Sequence, residues 1–395
     1  MIEYTNNFNI PEEIVNVLVP YEKKYTENAF SVTDLIGSPQ KRELLRRFDV
    51  VIDYSALLSR FKGNLLHNYF QQKTPQLLTE QFVERKIEYN GVEYTIRGVA
   101  DILLEHKIVD YKTTKHWKFV FNDFSDWETQ LNLYKWLTEF LYDKEPKLFV
   151  WAFIDDYTLQ EAKRNKDYPQ IAFKEVEIPS WETKQTEEYI LDRIKRHLFM
   201  QALSDEELTT KVFCSKKERL ANDEKFAVMK HGRKSAIKLY DSLEDAIENM
   251  PKDGKHYVEE RPSVSKCVDY CDASSICPIR LNPQYKEVFM QANPDTYRNE
   301  LKLNDMQFNT YKKNCEFYKL SNGYAFVRTV GFQREIVLYI DYLQSENLKN
   351  DILELLYAVP LMPDYIAYNR EKHANGKIVK IDYKNLKGVF DERIF

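Results

Sequence analysis

Short apolar runs rich in β-branched residues alternate along this chain with segments whose apolar residues recur every three or four positions. Such runs predict strands, because β-branched side chains fit a pleated, half-buried surface. Four of them are IRGVADILL (96–104), KIVDYK (107–112), KLFVWAFID (147–155) and QIAFKEVEI (170–178). The helical period marks residues 1–80 in the main, residues 124–143, and the segment from Trp181 to Leu203. This order of elements predicts an α/β fold in which helices flank a mixed sheet.

The pattern changes near Asn282, and the chain divides there. Residues 1–285 form the first predicted domain, which includes a cysteine-rich segment at about 205–280, and residues 286–395 form a small α+β domain. Within the second domain the pattern predicts helices at 305–313 and 348–359, a strand at 334–343, and hairpin turns at Asn322–Gly323 and Asn375–Gly376. Neither a repeat nor a catalytic motif stands out in this second domain.

Polar side chains lie near the ends of the two runs at 96–104 and 107–112. If His106 and Lys107 form a two-residue hairpin loop, Asp101 pairs opposite Lys112. Asp110 precedes Lys112 by two residues, so its side chain points to the same face. Because directly opposed residues have Cβ atoms roughly 5 Å apart, the three groups are predicted to converge.

Two neighbouring carboxylates repel each other, and a divalent cation relieves that repulsion. Mg²⁺ prefers oxygen ligands, keeps several waters, activates one of them and orients a phosphate. The ammonium of Lys112 beside such an ion would position the attacking water or stabilise the transition-state charge. An Asp-Tyr-Lys tripeptide alone is more often a solvated charge pair, so the surrounding residues decide the interpretation.

Those surroundings resemble the PD-(D/E)XK nuclease superfamily in its RecB-like, phage-type exonuclease branch. The resemblance covers about residues 30–280 and departs from the family name at Ala100, where that name has proline. It implies a restriction-endonuclease-like core, a deoxyribonuclease activity that depends on Mg²⁺ or Mn²⁺, and metal ligands His67, Asp101 and Asp110. The catalytic set it implies is Asp101, Asp110, Lys112, Gln130 and Tyr134, with Glu84 as a weaker candidate near the metal.

Four cysteines form a second group: Cys214, Cys267, Cys271 and Cys277. Clustered thiolates in a reducing compartment usually bind a soft metal. The group resembles that of CRISPR adaptation nucleases and of the nuclease half of recombination helicases, which hold a [4Fe–4S] cluster with one cysteine before the core. Here SPQKREL (38–44) has no early cysteine, so Cys214 would be the fourth ligand. Structural Zn²⁺ and plain buried thiols are the alternatives, and Cys315 is interpreted as a packing residue.

Composition limits the partners that the protein is expected to bind and the cellular compartment in which it is expected to lie. The net charge of −5 does not indicate nucleic-acid binding, so any contact with DNA needs a local basic patch. Candidates for that patch are Lys41, Arg42, Arg46, Arg47, Lys112, Lys115 and Lys118. No secretory signal or bilayer-spanning run is recognised, and five cysteines without a signal suggest a cytoplasmic protein, or one of the host cytoplasm if phage-encoded.

Two functions follow as expectations. The first is a metal-dependent DNA nuclease, most plausibly an exonuclease of recombination, replication or DNA processing, with DNA and a replication or recombination protein as partners and no membrane. The second is a catalytically inactive protein of the same fold that binds DNA or supports an assembly. The intact set of His67, Asp101, Asp110 and Lys112 favours the enzyme.

Overall fold

The computed structural model describes most of the 395-residue chain. The described residues are 2–18, 24–73, 78–215, 217–219, 225–233, 235–261, 267–281, 294–298, 304–320, 323–330, 333–340, 352–353, 355–357, 359, 361–368 and 377–386. The predicted turn at Asn375–Gly376 lies outside them. Within these ranges no helix is both long enough and apolar enough to cross a bilayer.

The strands, in chain order, are β1 Ile2–Thr5, β2 Ala29–Ser31, β3 Val50–Asp53, β4 Leu78–Tyr89, β5 Val92–Leu104, β6 Lys107–Thr114, β7 Lys147–Ile154, β8 Phe173–Ile178, β9 Lys225–Lys230, β10 Lys238–Tyr240, β11 His256–Arg261, β12 Cys315–Leu320, β13 Gly323–Val330, β14 Gln333–Ile340, β15 Tyr365–Tyr368 and β16 Lys377–Lys380.

The helices are α1 Glu12–Leu18, α2 Val32–Ile36, α3 Pro39–Arg47, α4 Ser55–Lys73, α5 Trp117–Phe121, α6 Ser125–Thr138, α7 Leu159–Arg164, α8 Thr183–Ala202, α9 Asp205–Thr210, α10 Leu243–Glu248, α11 Cys267–Tyr270, α12 Pro278–Leu281 and α13 Asp305–Asn314. Short 3-10 turns occupy Glu139–Leu141, Ser274–Ile276 and Pro294–Tyr297.

The main sheet is mixed, as predicted for an α/β fold. Its order is β2-β5-β6-β7-β8, with β4 also paired to β5. The β2–β5 and β6–β7 pairs are parallel, whereas β4–β5, β5–β6 and β7–β8 are antiparallel. All four strands predicted in the first half of the chain are present, and the helices predicted at 124–143 and 181–203 correspond to α6 and α8.

Helices cover both faces of this sheet. Ile102 and its partner Val109 pack with side chains of α4. The adjacent pair, Leu103 and Ile108, belongs instead to the large core that includes Leu131 of α6. Since neighbouring residues of a strand point to opposite faces, α4 and α6 lie on opposite sides of β5 and β6.

The sheet forks beside β5. β4 pairs with β5 along nearly its whole length, so β2 and β6 share the opposite edge. β2 pairs with residues 95–97 of β5, and β6 pairs with residues 102–104. The stretch between them, from Gly98 to Asp101, has no ladder partner on that edge, which leaves a gap in the sheet at Asp101.

Three short strands interrupt the region that was predicted to be mainly helical. β1 and β3 form a parallel pair, and β2 joins the main sheet. The helical prediction for residues 1–80 was therefore incomplete: α1 to α4 are present, but runs of three or four extended residues between them are too short to show a periodic pattern.

The C-terminal part has its own five-stranded sheet, in the order β12-β13-β14-β15-β16. Leu320 pairs with Gly323, so Gly323 belongs to β13, whereas the predicted turn at Asn322–Gly323 included it. This part packs on α8: Arg196 donates hydrogen bonds to the carbonyl oxygens of Tyr357 at 2.9 Å and Val359 at 2.8 Å. Buried residues of both parts form one continuous core.

Candidate metal centre and its surroundings

Helix α4 carries His67 to the gap in the sheet. Phe70, one turn later, stacks on Tyr111 of β6 with ring centroids 4.4 Å apart, and this contact fixes the helix against the strand. His67 itself meets the edge of Tyr111 at 5.6 Å. Its Nδ1 atom lies 3.0 Å from Oε1 of Glu80 and 3.5 Å from Oδ1 of Asp101. The helical histidine predicted as a ligand therefore faces two carboxylates.

Glu80 reaches this position through an unusual backbone conformation. Its φ angle is +51°, in the left-handed region that glutamate rarely adopts. The β4–β5 ladder pairs Thr79 with Ile102 and Gln81 with Ala100 but skips the pair between Glu80 and Asp101. Strained backbone of this kind is concentrated at functional sites. Here it coincides with a cluster of His67, Glu80 and Asp101 whose ligand atoms lie within 4.8 Å of one another.

The β5–β6 ladder of backbone hydrogen bonds ends at the Asp101 carboxylate. Its Oδ2 atom accepts the backbone N–H of Tyr111 at 2.8 Å, a donor that would otherwise continue the strand pairing. The observed register pairs Leu104 with Lys107, so the hairpin loop is Glu105–His106. The predicted loop at His106–Lys107 was wrong by one residue.

The corrected register changes which groups oppose each other. Continued beyond Ile102–Val109, it places Asp101 opposite Asp110 rather than opposite Lys112. Both carboxylates are buried, with 6% of Asp101 and 2% of Asp110 exposed. The predicted convergence of the two acids is present, although the predicted cross-strand partner of Asp101 is not.

Asp110 is held by two predicted residues. Nζ of Lys112 lies 2.5 Å from its Oδ2 atom, and Gln130 of α6 donates from Nε2 to its Oδ1 atom at 2.9 Å. Apart from the Lys112 ammonium, no hydrogen-bond donor among the described residues contacts the buried Oδ2 atom. A buried carboxylate oxygen in this state has a lone pair free for another ligand.

Tyr134 supports the site from behind. It is buried, and a Cβ atom on Gly98 would lie 2.8 Å from its Cε1 atom, so only glycine fits opposite this ring. Burial, followed by the charge of Asp110, raises the pKa of Tyr134 above its ordinary value. Tyr134 thus lies next to the acids as predicted, in a position where it packs rather than faces solvent.

The charges of the site favour a bound cation. Burial, followed by the negative charge of Asp110, raises the pKa of Asp101 to about 7. The hydrogen bond with Glu80 raises the pKa of His67. Burial acts to lower the pKa of Lys112, but its interactions with Asp110 and Asp101 together outweigh burial, so the net shift is upward. Each shift reflects excess negative charge in a partly dry gap, which a divalent ion would relieve.

The donor set fits such an ion. His67 offers an imidazole nitrogen and Glu80 and Asp101 offer carboxylate oxygens, while Asp110 is close enough for its charge to act on both His67 and Asp101. Oxygen-rich sites of this composition suit Mg²⁺ and Mn²⁺. An octahedral ion held by these four side chains would keep two coordination positions for water and a phosphate oxygen.

Glu80 was missed from the sequence, where Glu84 was the weaker candidate. Glu84 is exposed and pairs with Arg97 away from the site. A signal for Glu80 did exist. The sequence Asn90–Gly91 is typical of a two-residue hairpin turn, and these residues have the φ angles of +51° and +74° that such a turn requires. Counting back from that turn places residue 80 opposite Asp101.

The four cysteines of the second group share a neighbourhood. Sγ of Cys214 lies 2.9 Å from Oγ of Ser38, the residue that caps α3. Burial raises the pKa of Cys214, and the nearby Cys277 and Cys271 add to the shift. Cys271 in turn interacts with Cys267. Cys214 therefore occupies the place beside SPQKREL where an early cysteine was lacking.

The sulfur atoms are more widely spread than a zinc site requires. Thiolates around one Zn²⁺ at about 2.3 Å lie within about 4.6 Å of one another. In the part of the chain that the structure describes, no three cysteine sulfurs meet the 4.8 Å mutual spacing of the His67 cluster. The group does not form a preassembled Cys₄ zinc site. Cys315 lies apart, packed in the core beneath the C-terminal sheet.

Asp272 anchors the cysteine segment to the helices. Lys41 of α3 reaches its Oδ2 atom at 2.8 Å, and Arg60 of α4 pairs with its Oδ1 atom. The other cations of the predicted early basic patch also pair internally: Arg42, Arg46 and Arg47 all bind the fully buried Glu43. These four residues stabilise the fold rather than form a free basic surface.

Comparisons with known proteins add little. No family model matches the chain, and no curated protein matches it. Among solved structures, one described as "Crystal structure of SSO0001" is similar at 20% sequence identity, over 46% of this chain and 80% of that chain, with a TM-score of 0.32. Function must be argued from the site itself.

Proposed function

We propose that this protein is a metal-dependent nuclease that hydrolyses phosphodiester bonds in DNA. The observation that supports the proposal most strongly is the meeting of His67, Glu80 and Asp101 within 4.8 Å, beside the buried Asp110–Lys112 pair. Carboxylates, an imidazole and a lysine at one gap of a sheet are the groups that metal-assisted phosphoryl transfer uses. The resemblance of His67, Asp101, Asp110 and Lys112 to the RecB-like nucleases agrees with it.

The residues divide the work as follows. His67, Glu80, Asp101 and Asp110 would hold Mg²⁺ or Mn²⁺, which supplies an activated water and neutralises charge on the phosphate. Lys112 lies two residues after Asp110 on the same strand and pairs with it. Its ammonium would interact with the attacking water or with the scissile phosphate. Gln130 fixes the Asp110 carboxylate, and the Tyr111 N–H fixes that of Asp101. Fixed ligands lower the reorganisation that the reaction requires.

The first experiment measures degradation of linear DNA with Mg²⁺, with Mn²⁺ and with chelator. We expect cleavage by the wild type with either metal, and a loss of at least about 10²-fold in Lys112→Ala. Lys147→Ala is the matched control, because Lys147 is an exposed lysine on the adjacent strand that pairs with Glu177. Metal-independent cleavage, or full activity in Lys112→Ala, would contradict the proposal.

The exonuclease part is tested with circular DNA. An enzyme that requires a DNA end degrades a linear molecule and spares a covalently closed circle of the same sequence. Cleavage of both would mean an endonuclease at the same site. Binding of both without cleavage by the wild type would favour the inactive DNA-binding protein instead.

The cysteine group is proposed as a separate structural site for a [4Fe–4S] cluster, held by Cys214, Cys267, Cys271 and Cys277. The shared neighbourhood of Cys214, Cys271 and Cys277 and the resemblance to the CRISPR adaptation nucleases support it, with structural Zn²⁺ as the alternative. Anaerobic purification should give a brown protein with iron and sulfide. A colourless protein with stoichiometric zinc would favour the zinc alternative, and the absence of both metals would mean plain thiols.

A further inference from the structure

An exposed aromatic surface lies next to the candidate metal centre. It consists of α5 and the residue before it, His116 to Phe121, which follow directly on the strand that carries Asp110 and Lys112. No residue of α5 is buried. Trp117 is 52% exposed, Val120 53% and Phe121 73%. Large apolar side chains rarely cluster at the surface without a binding role.

The rings are arranged for stacking. Trp117 and Phe121 are four residues apart on the helix, with centroids 5.9 Å apart and planes inclined by only 23°. His116 packs against Trp117 with ring centroids 4.4 Å apart and planes inclined by 39°, and its Nδ1 atom pairs with Asp156 at 2.8 Å, so it holds Trp117 in place rather than extending the exposed pair. Trp117 and Phe121 thus form two near-parallel rings at the surface, and Phe121 is the more exposed. Asn122 ends the helix in the left-handed conformation, with φ of +50°.

Charge interactions link this aromatic surface to the candidate metal centre. Lys118 of α5 lies 2.5 Å from Asp126, and the charge of Asp126 also acts on Lys112. Lys115 is exposed, and no ion pair joins it to another described residue. A ligand lying on the rings would therefore meet a cation on its way to the Asp110–Lys112 pair.

We propose that Trp117 and Phe121 form a stacking surface for unpaired bases of the DNA substrate, with Lys115 contacting the backbone. The inference rests on the proposed nuclease function and specifies its substrate class, DNA with a single-stranded segment. Bases in a duplex are already stacked on one another, whereas an unpaired base has a free face that an aromatic ring can cover. Two near-parallel exposed rings, beside an exposed lysine that pairs with no other described residue, match such a base and its phosphate.

The test measures binding by the full-length protein in chelator, so that cleavage does not interfere. The probes are a labelled oligothymidylate, an abasic strand of equal length and a duplex of equal length. The double variant Trp117→Ala/Phe121→Ala should bind the oligothymidylate at least roughly fivefold more weakly, because stacking contributes that much or more per base. Its affinity for the abasic strand and the duplex should not change.

Two further variants sharpen the result. Phe140→Ala is the matched control, since Phe140 is an equally exposed aromatic, 71%, just beyond the other end of α6. The single variant Trp117→Phe keeps an aromatic ring at this position, so it should bind the oligothymidylate with most of the wild-type affinity. Unchanged oligothymidylate binding in the double variant, or an equal loss with the abasic strand, would overturn the inference. So would equal weakening in Phe140→Ala.

Cleavage assays separate this inference from the function on which it rests. Wild-type cleavage that requires Lys112, together with unaffected oligothymidylate binding in the double variant, would leave the nuclease standing and remove the stacking surface. Loss of oligothymidylate binding in the double variant, without cleavage by the wild type, would keep the stacking surface and remove the nuclease. Thermal unfolding at the wild-type temperature would show that the exposed substitutions leave the fold intact.

Discussion

The metal centre and the cysteine segment differ in how their ligands are brought together. At the metal centre, a helix and three strands carry His67, Glu80, Asp101 and Asp110, and the first three already lie at ligand distance. In the cysteine segment, the thiols come from short turns and a loop, and they share a neighbourhood without ligand spacing. Regular structure positions the first set before any ion binds, whereas the second set depends on a bound group for its final geometry.

The electrostatic cost of the two sites differs as well. In the absence of an ion the preassembled acids are costly, because burial, followed by repulsion from Asp110, raises the pKa of Asp101 to about 7. Buried thiols avoid that cost by remaining protonated, and burial raises the pKa of both Cys214 and Cys271. We therefore expect changes at the first site to affect chemistry and changes at the second to affect stability.

The largest expected effect is on cleavage by metal-ligand variants. Asp101→Asn and Asp110→Asn should each reduce metal-dependent cleavage by at least about 10²-fold, because each removes a charged ligand. The metal-free proteins should be at least as stable as the wild type, since a pair of like buried charges is relieved. Cleavage is measured with Mn²⁺ and stability by thermal unfolding in chelator.

Glu80→Gln extends that prediction to the ligand that the sequence did not reveal. It should reduce cleavage comparably, whereas Glu84→Gln, on an exposed position of the same strand, should cleave like the wild type. The opposite order of the two variants would mean that the left-handed Glu80 is a local feature without a role in metal binding.

The second prediction concerns the cysteines. Cys271→Ser should lower the free energy of unfolding by about 2 kcal/mol, because it loosens the bound group that orders residues 267–277. Cleavage per folded molecule should be retained. Cys315→Ser is the control, since Cys315 lies in a different core. Equal destabilisation by both variants would argue that Cys271 only packs.

Much of the main sheet could be predicted from the sequence, because its strands are long apolar runs and one of its turns has a strong signal. Asn90–Gly91 set the β4–β5 register correctly. Glu105–His106 has no such signal, so the neighbouring hairpin was predicted one residue too late. In the C-terminal sheet the Asn-Gly signal was also imprecise, since Gly323 of the predicted turn belongs to β13.

The rest of the site depends on long-range contacts. The left-handed conformation of Glu80 has no local sequence signal, since glycine or asparagine would ordinarily mark it. The contact between Ser38 and Cys214 joins residues 176 positions apart. The early basic residues were assigned to a surface because lysine and arginine usually lie there, and the buried Glu43 that binds three of them could not be inferred from spacing.

The third prediction concerns His197, a buried residue with a purely structural role, and the pH dependence of stability that it causes. Its Nε2 atom bonds the Asp34 carbonyl at 3.1 Å, and its Nδ1 atom is buried without a partner among the described residues. Burial, with the nearby Arg193 and Arg42, lowers its pKa well below 6.5 in the folded state.

The unfolded chain therefore binds more protons as the pH falls below 6.5. Stability from neutral His197 is fully present above that pH and is lost below it, by up to about 1.4 kcal/mol per pH unit. Denaturant unfolding of wild type and His197→Gln across this range checks it. The variant should be less stable at neutral pH but lose less stability on acidification; parallel curves would contradict the assignment.

The smallest expected effect tests whether the two regions act independently. Asp272 joins the cysteine segment to α3 through Lys41 and to α4, the helix of His67, through Arg60. Both cations are partly exposed, so Asp272→Asn should cost only about 1 kcal/mol of unfolding free energy. Residues 267–277 should loosen locally, and a thiol reagent should modify Cys271 faster than in the wild type. Asp241→Asn, which removes a surface ion pair with Lys225, should change neither quantity.

Cleavage by Asp272→Asn tells whether the two regions are coupled. If the strands alone fix the geometry of the metal centre, the variant cleaves at the wild-type rate. A parallel fall in cleavage would instead mean that the cysteine segment holds α4, and with it His67, in place, so that the two regions form one functional unit.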